Sequence, residues 1–238
     1  KNNRRKDVSP ATVNRELACL KHMLNKAVHW GYLTEYPLRN VRNLKEPPGR
    51  VRYLTDIETE ILLNCCYRHI KNIVILALNT GMRKGEILSL KWSDVDMKNR
   101  NITVRRTKNN EVRTIPINDT LYNVLKTMGQ QMGEQYVFSN EEGKPYGDIK
   151  TGFKAALRRA EIENFRFHDL RHTFASKLMM NGADIGSVQK LLGHKDITMT
   201  MRYSHLSNAH LRETVKKLEV GTNMGQIASA KIKGLANL

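Results

Sequence analysis

Along this chain the apolar residues recur at helical spacing, except around Val95–Ile117, where they alternate. A helix buries a stripe and a strand buries one face, so this single change of period confines any sheet to one small unit in a helical chain. Asn101–Thr107 and Val112–Ile117 read as two strands joined across Lys108-Asn109-Asn110-Glu111, residues that tolerate the left-handed backbone of a tight turn. Strands joined by so short a turn run antiparallel. The expected fold class is mainly α with a small antiparallel β-sheet.

Ser9 and Pro10 open a predicted helix over 9–30, in which Val13, Leu17, Leu20, Leu24 and Val28 form an apolar stripe and Gly31 ends the run. One helix cannot bury its own stripe. Residues 1–46 therefore read as the end of a small helical domain whose beginning lies upstream, and a chain opening on Lys1 rather than Met fits that expectation. Pro47-Pro48-Gly49 marks a linker over 47–54. A second domain, 55–220, starts at Thr55-Asp56-Ile57-Glu58, which has capping-box spacing. Helices are predicted over 56–67, 70–79 (closed by Gly81), 86–90, 119–128 and 149–160. Four more cover Asp169–Leu218, separated by Gly182, Gly193 and Ser207, and 221–238 is left as a tail.

Charge narrows the function. Forty Lys and Arg stand against 23 Asp and Glu, a net charge of +17, which points to a polyanionic partner and first to nucleic acid. Cys19, Cys65 and Cys66 form no CxxC pair; the last two lie in an apolar run and read as core thiols of a reducing compartment. No apolar run approaches bilayer length and no signal peptide opens the chain, so the expectation is a cytoplasmic, nucleoid-associated protein with no membrane partner. There is no GxxxxGK[ST] loop for a nucleotide.

Four short segments carry the chemistry. They are Thr80-Gly81-Met82-Arg83-Lys84-Gly85-Glu86-Ile87-Leu88, His168-Asp169-Leu170-Arg171-His172-Thr173, Leu191-Leu192-Gly193-His194 and Arg202-Tyr203-Ser204-His205. A phosphodiester under attack accumulates negative charge on its nonbridging oxygens. Guanidinium groups suit that charge, being permanently cationic and forked. His168 and Arg171 are three apart and share a helix face. A phenol, of pKa about 10, needs a proton acceptor or nearby cations before it attacks. The polar Arg-Tyr-Ser-His context of Tyr203 predicts an exposed, mobile side chain, whereas Tyr32, Tyr67 and Tyr122 read as packing. His168 and His172 are also four apart, as metal ligands can be. The Glu of HExxH is missing and Arg171 would set a cation beside the metal, so no metal is expected.

Taken in this order, the four segments resemble the conserved boxes of the tyrosine recombinases, or phage integrases, and the resemblance extends over nearly all of the chain from Ser9. It implies the DNA breaking-rejoining catalytic fold, preceded by the end of a helical core-binding domain. The start of the first helix, Thr12-Val13-Asn14-Arg15-Glu16-Leu17, is more similar to mobile-element integrases than to chromosome-dimer resolvases. It further implies that Arg83 and Arg171 bind the phosphate, that His194 hydrogen-bonds it and that His168 is the base for Tyr203, the nucleophile. Lys108 would protonate the departing 5′ oxygen, its alternative being a plain phosphate contact. Glu86 and His172 would hold the arginines, with a surface ion pair and a capping histidine as the alternatives. The implied partner is double-stranded DNA, held by a homotetramer of subunits that are monomeric when free, without metal, ATP or other cofactor. The final helix Ser207–Leu218 and the tail Val220–Leu238 are candidates to dock on a neighbouring protomer. Three rival classes stay open: a type IB topoisomerase, a degenerate DNA-binding protein and a metal-dependent nuclease.

Overall fold

The computed structural model describes residues 8–47, 50–105, 112–129 and 135–207. The chain forms two compact units, Lys1–Arg50 and Val51–Leu238.

In the first unit α1 spans Pro10–His29. Ser9 caps it, its hydroxyl accepting the Thr12 N–H at 3.3 Å. Val13 and Leu17 are buried, Leu24 and Val28 half-buried and Leu20 45% exposed, so the expected stripe is fully covered only at its N-terminal end. The segment around Leu44–Glu46 is pinned to the helix by a polar residue that the stripe argument passes over. The Asn14 amide donates to the Leu44 carbonyl at 2.9 Å and the Glu46 carboxylate at 2.7 Å, and its oxygen accepts the Leu44 N–H at 2.7 Å.

The second unit opens with α2 (Asp56–Cys65), whose Thr55/Glu58 capping box closes in both directions at 3.1 and 2.9 Å. α3 (Arg68–Thr80) is the centre of the core: Ile73, Val74 and Leu76 are fully buried and Ile70 and Ala77 nearly so. Next come α4 (Lys84–Leu88), a 3-10 turn at Trp92–Asp94 and three strands, β1 (Val95–Asp96), β2 (Asn101–Arg105) and β3 (Val112–Pro116), in the antiparallel order β1-β2-β3. Ile102 pairs with Ile115 and Val104 with Arg113, and the buried face of the sheet holds Ile102, Val104 and Ile115. α5 (Asp119–Met128) and α6 (Lys150–Arg159) complete the main core. α7 (Asp169–Met180) separates it from a smaller cluster built on Phe174, Ala175, Met179, Val188, Leu192 and Tyr203, to which α8 (Ile185–Leu192) and α9 (Thr198–Met201) contribute before a 3-10 turn at Ser204–Ser207.

The fold is thus mainly helical with one small antiparallel sheet. It departs from the expectations in detail. The sheet has a third, two-residue strand, β1, too short for its alternation to stand out. β3 ends at Pro116 rather than Ile117, and the expected end of the first strand at Thr107 lies outside the described residues. α4 starts at Lys84 because Glu86 reaches back to the Arg83 N–H at 2.9 Å. The turn 106–111 with Lys108, and residues 208–238 with nearly all of the predicted Ser207–Leu218 helix and the tail, lie outside the described residues.

Gly81 ends α3 with φ 63°, in the left-handed region, and a Cβ there would enter the Phe174 ring. Gly81→Ala therefore combines a backbone cost of about 1–2 kcal/mol with an overpacking cost of about 1–3 kcal/mol. The expected result is a lower urea midpoint with an unchanged slope. An unchanged midpoint would show that neither constraint operates.

Candidate active site

Four chain turns bring the singled-out residues together. Gly81 releases α3 into Arg83, the first turn of α7 carries His168, Arg171 and His172, Gly193 turns α8 into His194 with φ 62°, and α9 delivers Tyr203.

Arg171 is the staple among them. It is 3% exposed, and its two terminal nitrogens donate to the Gly81 carbonyl at 2.7 Å and the Leu192 carbonyl at 2.6 Å. It thereby joins the turn before Arg83 to the turn before His194. Burial, and then the like charges of Arg83 and Arg113, lower its pKa to about 9, while Glu86 opposes them. It remains a cation at neutral pH.

Glu86 gathers the other two guanidinium groups. Its carboxylate accepts from Arg83 Nη1 at 3.0 Å and from Arg113 Nη1 and Nη2 at 3.1 and 2.6 Å, with only 15% of its side chain exposed. Burial alone would raise its pKa. The hydrogen bonds and charges of Arg113 and Arg83 outweigh burial and hold it at about 2. Arg113 lies outside the four chemistry-bearing segments of the sequence. The signal that could have found it is alternation: two residues from buried Ile115, it shares the inward face of β3. A cation on an inward face needs a partner.

His168 stands exposed at the start of α7, and desolvation and the nearby Arg171 charge lower its pKa. His194 is half-buried, with Nδ1 2.8 Å from the Thr200 hydroxyl. Arg83 keeps 37% of its side chain exposed.

Tyr203 overturns one expectation and complicates a second. It is 1% exposed, not an open, mobile side chain, and its hydroxyl lies 2.5 Å from His172 Nδ1 rather than on His168. The physical reason is helical spacing. Thr200 and Tyr203 are three apart and both turn inward, while Met199, Met201 and Arg202 face out, so the polar flanking sequence misleads. Burial raises the phenol, against the pull of Arg202 and Arg171. His172 is itself buried, edge to face with His168 at 5.1 Å between ring centres, and burial and then His168 lower its imidazole to about 4. A neutral ring holding its proton on Nε2 accepts the phenol proton at Nδ1. Among the described residues no group of three His, Cys, Asp or Glu side chains could hold a metal.

These shifts fix the sign of an acid response. His172 titrates near 4 in the fold against an ordinary 6.5, so below pH 6.5 the unfolded chain binds the proton first and stability falls. Glu86, held at about 2 against 4.5, adds stability above pH 4.5 that is lost as pH drops toward 2. The urea midpoint should fall from pH 7 to 4, with His172 contributing at most about 3 kcal/mol. His172→Gln should flatten that window. A midpoint that rises on acidification contradicts the burial of a neutral imidazole.

A mostly helical domain with a three-stranded sheet, gathering arginines, histidines and a tyrosine at its helix ends, is of the tyrosine recombinase catalytic-domain class. Residues 52–210 match the sequence model of the phage integrase family, and the chain belongs to that family. The integrase of Salmonella phage P22 is 33% identical over 245 residues, covering 96% of this chain and 63% of the relative. The catalytic domain of bacteriophage HP1 integrase superposes with a TM-score of 0.56 at 34% identity, over 70% of this chain and 95% of that one. The Tn1549 transposon integrase, solved in complex with a circular intermediate DNA, superposes with a TM-score of 0.74 at 22% identity, over 90% of this chain and 81% of that one. The chain spans 63% of the length of the P22 integrase and 62% of that of Escherichia phage 186.

Proposed function

We propose that this protein is a site-specific recombinase that cuts and rejoins double-stranded DNA through a 3′-phosphotyrosyl bond to Tyr203, for integration or excision of a mobile element. One observation carries the reading: Arg83, Arg113 and Arg171 lie within electrostatic reach of one another and of the single carboxylate of Glu86. Such a surplus of fixed positive charge, partly exposed through Arg83, suits a phosphodiester whose charge grows on attack.

In this reading the Tyr203 oxygen attacks phosphorus, its proton passes to an imidazole, and the bond from phosphorus to the 5′ oxygen breaks. Lys108 protonates that oxygen. A 5′ hydroxyl of another strand then reverses the exchange and releases the phenol. One phosphodiester is made for each one broken, so no nucleotide need drive the reaction. Arg83 and Arg171 contact the nonbridging oxygens and His194, whose ring Thr200 orients through Nδ1, hydrogen-bonds the phosphate. His168 has the base role by resemblance, and His172 contacts the phenol directly. Because that phenol is buried, cleavage requires the segment 198–207 to shift against α7. Residues 1–46 act as the end of a core-binding domain, 47–54 as a linker and 55–220 as the catalytic domain. The active assembly is a homotetramer on DNA, associated with the nucleoid. No helix among the described residues is long and apolar enough to cross a membrane.

The test is a nicked cognate site whose short 5′ fragment diffuses away after cleavage, incubated with the 238-residue chain in EDTA. The expected result is protein attached to the 3′ end at undiminished yield. Cleavage that EDTA abolishes, leaving free DNA ends, would replace this reading with a metal-dependent nuclease.

A further inference from the structure

The Arg113 guanidinium is the most fully engaged cation described in this protein's site. Nε donates to the Leu191 carbonyl at 3.1 Å, Nη1 and Nη2 form a fork on Glu86 at 3.1 and 2.6 Å, and only 11% of the side chain is exposed. Its aliphatic stem lies under the turn before His194, where a Cβ on Gly193 would come within 2.9 Å of Arg113 Cδ. Three elements therefore meet on one side chain. β3 carries it, α4 receives it through Glu86, and the end of α8 receives it through Leu191.

Each of those elements adjoins in sequence a residue assigned to the reaction. Glu86 Oε1, which accepts from Arg113, accepts from Arg83 as well. Leu191 precedes Leu192, whose carbonyl takes Arg171, and His194 follows. On β3, Arg113 pairs with Val104 one step inside the Arg105↔Val112 end of the ladder, and Lys108 lies in sequence between Arg105 and Val112. With Nε, Nη1 and Nη2 all donating to protein acceptors, Arg113 is badly placed to bind a phosphate itself, whereas Arg171 commits two of its three nitrogens.

We infer that Arg113 is a positioning residue for strand cleavage, locking Arg83 through Glu86 and the His194 turn through Leu191 without touching DNA. The inference rests on the recombinase reading above. A lysine would keep the charge but could not span two carboxylate oxygens and a carbonyl together. Small displacements of groups around a reacting centre cost on the order of 10²-fold in rate.

The experiment compares wild type, Arg113→Lys, Glu86→Gln and the double variant on the nicked site, measuring non-covalent affinity by gel shift and covalent yield by denaturing gel. Arg113→Lys should lose about 10²-fold in covalent rate with affinity within about twofold. The double variant should be no slower than the slower single, because both act through one contact. Arg113→Lys cleaving within about twofold of wild type overturns the inference, as do multiplicative losses in the double variant. A fall in affinity that matches the fall in cleavage would make Arg113 a DNA contact and also overturns it. If Arg113→Lys does not fold at the assay temperature, Glu86→Gln decides: it must show the same split between affinity and rate. A wild-type chain that never becomes covalently attached counts against the recombinase reading itself; a normal wild type beside an unimpaired Arg113→Lys counts against the positioning role alone.

Discussion

Tyr203→Phe should abolish covalent attachment to DNA, lowering it by at least about 10³-fold, while leaving DNA binding intact. The substitution removes one oxygen and keeps the ring that packs against Phe174, Ala175, Val188 and Leu192. Its cost to the fold is the lost hydrogen bond to His172, about 1 kcal/mol, so a loss of activity cannot be ascribed to unfolding. The contact also makes the variant informative about the resting conformation. If the phenol holds the 198–207 segment against α7, its removal should raise hydrogen exchange in that segment and nowhere else. A variant that still becomes attached to DNA would move the nucleophile to another residue.

Arg171 is expected to give the second large effect, and a compound one. Arg171→Ala leaves the buried Gly81 and Leu192 carbonyls without the donors that now reach them at 2.7 and 2.6 Å. Two unsatisfied buried acceptors cost roughly 2–4 kcal/mol, partly offset by relief of repulsion from Arg83 and Arg113. Loss of a preorganised cation at the developing phosphate charge costs about 10²–10³-fold in cleavage. Arg171→Lys should recover the charge without spanning both carbonyls, so it should remain slow and destabilised. Urea titration gives the first quantity and the rate of covalent trapping at a temperature where both variants are folded gives the second. A folded Arg171→Lys with wild-type cleavage would show that charge alone suffices and that the staple does not matter.

Much of the architecture can be read from residue spacing. Gly81 and Gly193 end helices because each sits at positive φ, and the single period-two stretch yields the only sheet among the described residues. What escapes a reading of spacing is contact between distant segments. Asn14 looks like a polar interruption of α1 until Leu44 and Glu46 are brought over it. Arg113 looks like one more phosphate ligand until Glu86 and Leu191 close around it. Tyr203 misleads for a different reason: its neighbours in sequence are polar, while its ring belongs to an apolar cluster and its hydroxyl meets His172. The exchange of His168 for His172 as the partner of the phenol has the same origin. The two imidazoles are four residues apart on one helix, and only the depth of α9 against α7 decides which of them meets Tyr203.

The central claim is chemical: a phosphate is to be transferred to one named oxygen. It is tested most directly by trapping the wild-type chain on a nicked cognate site, digesting DNA and protein, and locating the nucleotide adduct by mass spectrometry. The account predicts a 3′-linked phosphonucleotide on the peptide containing Tyr203. Cleaved DNA with no adduct, or an adduct on any other residue, would contradict it.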